Sequence, residues 1–162
     1  MTFTKLSTFF TNLLYMTELA KRKIQSRYPQ DTIVAINAAK AIKSEQSMQV
    51  QRGMQWINSR RAVVCLTNKR IICKDWEIPL ESIKNAEMMI FKSFLSQGQV
   101  LKIETFAGMH YQFGMQHQPA WLKQTVFNIE VVPCELKMSK FSWLVRAVLM
   151  LYLGYVLFKT LL

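Results

Sequence analysis

The stretch Leu66-Thr67-Asn68-Lys69-Arg70-Ile71-Ile72, followed a few residues later by Ile78-Pro79-Leu80-Glu81-Ser82-Ile83, decides the fold. Arg61-Ala-Val-Val-Cys-Leu66 and Arg70-Ile-Ile-Cys73 are rich in β-branched residues and read as strands. Between them Thr67-Asn68-Lys69 makes a hairpin turn, with Asn68 suited to left-handed geometry. Pro79 fits a strand edge, and Ile78-Pro79-Leu80 begins a turn that leads to Ile83.

Working outward, the two-residue period continues. Glu87–Phe91, Val100–Thr105 and His110–Phe113 are strand candidates, the last two joined by the glycine turn Phe106-Ala107-Gly108-Met109. On the N-terminal side, Ile33–Ile36, Ala38–Ile42 and Met48–Ile57 suggest further strands. After Pro119 the period lengthens, and Trp121, Leu122, Thr125, Val126 and Ile129 share one face of a helix over Ala120–Ile129. A run of short antiparallel strands closed by one helix is an α+β arrangement.

These strings resemble the pleckstrin-homology superfamily in its bacterial PH-like and GRAM-like forms. The likeness rests on Leu66-Thr67-Asn68-x-Arg70-Ile71, on Ile78-Pro79-Leu80-x-x-Ile83, and on Leu101-Lys-Ile-Glu-Thr105 leading through the glycine turn to Tyr111-Gln-Phe113 and the Trp121 helix. It implies a half-open antiparallel β-barrel whose open end is covered by a C-terminal helix, spanning residues 29–133. It also implies a binding scaffold, although the basic triplet common in the first loop of lipid-binding members is missing. Lys40, Lys43 and Arg52 are the nearest equivalents, and Arg60-Arg61 is the densest basic pair. With Lys69 and Arg70 these form the candidate binding set, against the plainer reading of Arg60-Arg61 as a solvated strand end. A fold of this kind hosts many unrelated partners, so it does not fix function.

Two terminal segments lie outside that region. Residues 141–162 read FSWLVRAVLMLYLGYVLFKTLL, with Arg146 and Lys159 as the charges. As a helix this segment reaches about 33 Å, enough to cross a hydrocarbon core of about 30 Å. Phe141 and Trp143 occupy interfacial positions, Gly154 stands alone without a GxxxG partner, and Arg146 either snorkels or meets a carboxylate on a neighbouring helix. Lys137, Lys140 and Arg146 on the N-terminal flank, against Lys159 beyond, predict a single-pass protein with its domain on the cytoplasmic side.

Residues 1–28 place Leu6, Phe9, Phe10, Leu13, Leu14, Thr17, Ala20 and Ile24 at helical spacing, with Lys21, Arg22, Lys23 and Arg27 in the last turns. This amphipathic helix either packs on its own domain or meets a membrane or a partner. Glu18 within the apolar run and cations after it argue against a signal peptide.

A net charge of +11 admits anionic lipid, nucleic acid or an acidic protein surface as partner. Aromatics are not interleaved with Lys and Arg on a strand platform, which disfavours nucleic acid. Three cysteines without CxxC spacing and two histidines, His110 and His117, predict neither a disulfide framework nor a metal site. Neither a nucleophile motif nor a phosphate loop is present, so the expectation is a non-enzyme without cofactors. It is a membrane-anchored binding module, an adaptor or assembly factor for a membrane protein complex, with sensing of anionic headgroups as the alternative.

Overall fold

The computed structural model describes residues 15–46, 59–92 and 97–133, together with 148, 150–152 and 159 near the C-terminus. Helix α1 (Thr17–Arg27) is followed by β1 (Ile33–Ser44), β2 (Arg60–Thr67), β3 (Arg70–Cys73) and β4 (Trp76–Pro79). A 3-10 turn at Leu80–Ser82 leads to β5 (Ile83–Lys92), β6 (Gln97–Thr105) and β7 (His110–Gln116). A single helical turn, α2 (Ala120–Lys123), and the short strand β8 (Glu130–Pro133) complete the domain.

The eight strands form one sheet in the order β4-β3-β2-β1-β7-β6-β5-β8. β4 lies at one edge and β5 near the other, yet only the three-residue turn Leu80–Ser82 joins them. The sheet must therefore curl until its ends approach; at the start of β5, Phe106 N–H donates to the Ser82 carbonyl at 3.0 Å and extends the β5–β6 pairing past Ile83. The result is a half-barrel compatible with a PH-like α+β fold.

The inner face follows the two-residue period. Ala62, Val64 and Leu66 of β2 meet Leu101 and Ile103 of β6 and Tyr111, Phe113 and Met115 of β7. Trp121 is wholly buried and fills the open end, with Val126, Phe127 and Ile129 packed beside it. Burying each large apolar side chain contributes about 1.5–3 kcal/mol.

The two halves of the sheet differ on their outer faces. Over β5, β6 and β7 the outward positions carry the ion pairs Lys84–Glu104 and Lys102–Glu87, at 2.6 and 3.7 Å, beside apolar Met89 and Val100. Over β1, β2 and β3 the outward positions include Ala38, Cys65 and Ile72, all buried. Those residues need a cover. Helix α1 packs against β1 and β2, turning buried Thr17 and half-buried Ala20 and Ile24 toward the sheet. Its described part thus lies on its own domain.

Several expectations are corrected. The sheet is mixed, because β8 runs parallel to β5 with Met88 opposite Val131. Ile33–Ile36 and Ala38–Ile42 are one continuous strand; Asn37 between them faces inward, and its amide donates to the Gln116 carbonyl at 2.9 Å. The helix expected over Ala120–Ile129 stops at Lys123. There Gln124 turns extended, its Oε1 accepting from Val126 and Phe127 N–H at 2.8 and 3.2 Å and its Nε2 donating to the Phe127 carbonyl at 2.8 Å. These bonds offer the backbone an alternative to the helix. Asn68 is not left-handed; among the described residues that geometry falls on Met16 (φ 50°) before α1, on Lys74 (φ 55°) between β3 and β4, and on Gly108 (φ 75°) in the expected glycine turn. Met48–Ile57 and residues 1–14 lie outside the described residues, as does most of 141–162. Among the described residues no helix is long and apolar enough to cross a membrane.

Candidate functional site

The hairpin string that decides the fold is occupied with holding it. Thr67 Oγ1 accepts from the Lys69 and Arg70 amides at 3.2 and 3.0 Å, closing the β2–β3 turn. Asn68 Oδ1 accepts from the Thr32 amide at 3.0 Å, tying that turn to the start of β1. Arg70 reaches buried Asp31 through Nε at 3.1 Å and Glu77 through Nη1 at 3.4 Å, and its guanidinium stacks 4.7 Å from the Tyr28 ring centre. Lys69 approaches Asp31 at 3.9 Å. Both cations of this turn are therefore internally engaged.

Glu77 is the hub where α1 meets the sheet. It accepts a hydrogen bond from the Tyr28 hydroxyl and pairs with Arg27 at 2.8 Å. The Tyr28 bond, with help from Arg27 and Arg70, holds the Glu77 carboxyl below its ordinary range, while the same bond pushes the Tyr28 phenol up.

The remaining candidate cations separate into two places. Lys43 and Arg60 stand over aromatic rings at one end of the half-barrel, Lys43 5.6 Å from Tyr111 and Arg60 5.8 Å from Trp76. Arg60 also pairs with Asp75 at 3.6 Å. Lys40 and Arg61 are direct cross-strand partners, so they share the outer face. The candidate set is thus not one cluster. Arg52, Trp143, Arg146 and Gly154 lie outside the described residues.

Arg61 leads to a feature that sequence reasoning missed, a groove of about 710 Å³ between α1 and the outer face of β2 and β3. Its apolar surface comes from Ala20 and Ile24 of α1 and from Val63 and Ile72 of the sheet. Its rim carries Lys23 on the helix side and Arg61 and Lys74 on the sheet side. Among the described residues these three cations form no ion pair. The available signal was the run Ala62-Val-Val-Cys-Leu66, apolar without alternation, which marks a strand covered on both faces.

The described thiols offer no nucleophile. Cys65 and Cys73 are buried, and burial pushes each up to about 12, far from a thiolate at neutral pH. His117 Nδ1 shares a hydrogen bond of 3.1 Å with Gln99 Oε1, and among the described residues no cluster suited to a metal ion is present. No family model and no curated protein matches the chain.

Proposed function

We propose that this chain is a non-catalytic, PH-like binding module, held at a membrane by residues 141–162 with its domain on the cytoplasmic side. In this reading it acts as an adaptor in the assembly or stabilisation of a membrane protein complex. The observation that carries the reading is the groove beside α1, an outward-facing cleft with part of its lining apolar and with Lys23, Arg61 and Lys74 forming no ion pair among the described residues. Such surface binds; it does not suggest chemistry. The apolar text of 141–162 supplies the argument for the anchor, and Arg146 within it is suited to a partner helix.

The test is affinity purification of the full-length protein from its native membrane in mild detergent, beside a chain truncated after Ser139. A stoichiometric membrane-protein partner, lost on Arg61→Glu with Lys74→Glu, is expected. A second reading is sensing of anionic headgroups through the basic surface of a chain whose net charge is +11. Recovery of enriched anionic lipid without a protein partner would select it.

A further inference from the structure

The groove beside α1 has a shape and a charge pattern that specify a partner more closely than a basic surface does. Its apolar surface comes from both sides, half-buried Ile24 on the helix wall and half-buried Val63 on the sheet wall, with Ile72 beneath only 3% exposed. The cations stand on both margins, Lys23 on one and Arg61 with Lys74 on the other. The facing acid, Asp75, is already engaged by Arg60. Arg27 and Tyr28 fix the C-terminal end of α1 to Glu77 on the edge strand β4.

A ligand matching this pattern presents an apolar stripe flanked on both sides by carboxylates. An amphipathic helix does so with apolar residues at i, i+3, i+4 and i+7 and Glu or Asp beside them. We propose that the groove between α1 and β2–β3 docks an acidic amphipathic helix of the membrane-protein partner. The proposal rests on the adaptor reading above and adds the partner's chemistry to it. The apolar stripe lies over half-buried Ile24 and Val63, and its flanking carboxylates pair with Lys23, Arg61 and Lys74. The cations supply orientation and encounter rate, and the apolar surface supplies residence time.

The probe is a synthetic labelled helical peptide with Leu at those apolar positions and Glu on both flanks. It is titrated against the full-length protein in a neutral maltoside detergent. A second peptide carries Lys in place of Glu, and neutral and anionic vesicles serve as lipid probes. The Glu peptide is expected to bind and the Lys peptide not to. Arg61→Glu with Lys74→Glu is expected to weaken binding by about ten-fold or more, whereas Lys84→Glu with Lys123→Glu, the same charge change elsewhere, shifts it less than about two-fold. A benzophenone on the peptide's apolar stripe should cross-link to α1, β2 or β3. If the charge-reversed groove lowers the melting temperature, Lys23→Gln with Arg61→Gln replaces it.

Equal loss in both charge-reversal variants, cross-links elsewhere, or a groove that binds anionic vesicles and not the peptide would overturn the proposal. If the peptide fails while the full chain still recovers a stoichiometric membrane protein, the groove assignment falls and the adaptor reading stands. If both fail, the adaptor reading falls with it.

Discussion

The Tyr28 hydroxyl, just beyond the last turn of α1, donates to the Glu77 carboxylate on the edge strand β4. This bond and the Arg27–Glu77 pair attach the helix to the sheet at one point. Glu77 is held below its ordinary range, so its contribution is complete above the unfolded carboxyl value of about 4.3 and disappears as pH falls through the lower folded value. Tyr28 is raised, so its contribution is complete below about 10 and disappears as pH rises through the higher folded value. Tyr28→Phe should cost about 0.5–1 kcal/mol at neutral pH and flatten both limbs of a melting-temperature profile against pH.

Arg70 is the next place to test. It is the closest cation to Asp31, which is almost fully buried. Arg70→Met should cost about 2–4 kcal/mol by leaving that carboxylate without its guanidinium. Asp31→Asn in the same chain should recover a large part of the loss. Denaturant melts of the two single variants and the double variant read this directly, and simple additivity would contradict the coupling.

Trp121 closes the half-barrel from a helix of a single turn, and its indole N–H is buried without an acceptor among the described residues. Trp121→Ala should therefore cost about 3–5 kcal/mol, whereas Trp121→Phe, which keeps most of the ring and removes the unpartnered donor, should cost less than about 2 kcal/mol. Equilibrium unfolding distinguishes a plug from a side chain held for its nitrogen, since the latter would make the two variants equal.

Lys74 occupies left-handed backbone between β3 and β4. Glycine has no Cβ to strain there, so Lys74→Gly should stabilise by up to about 1 kcal/mol, and Lys74→Val should destabilise by a similar amount. Thermal melts of both variants check the sign.

Buried Cys65 and Cys73 should resist maleimide in the folded protein and react once it unfolds. Cys134→Ser is needed as background so that labelling reports these two thiols alone. Rapid native labelling of Cys65 would mean that α1 lifts from the sheet.

The parts of the fold legible in the sequence are local ones. The β2–β3 hairpin announces itself because Thr67 and Asn68 are turn formers set between β-branched runs. The inner faces of β6 and β7 follow from alternation at Leu101, Ile103, Tyr111 and Phe113. The region after Pro119 misleads because spacing that suits a helical face also suits an irregular cap. What ends the helix there is the amide of Gln124, whose choice of partner leaves no trace in periodicity. The groove was hidden for a different reason. Lys23, Arg61 and Lys74 belong to three elements, and only the packing of α1 over Val63 and Ile72 brings them to one rim. Arg70 shows the converse, a motif cation that resembles a ligand contact until Asp31 and Glu77 are seen to hold it.

The position of β1 in the sheet has a consequence for synthesis. Among the described residues the first strand in chain order is also a central one, pairing with β2 on one side and with β7 on the other, Lys43 opposite Tyr111. On the ribosome the hairpins of β1 to β4 can form early, but the far edge of β1 stays open until β7 emerges. At about 5–20 residues per second that interval lasts several seconds. During it the nascent chain shows an unpaired strand lined with alanine and isoleucine, a natural stopping place for a chaperone and a hazard for neighbouring chains on the same polysome.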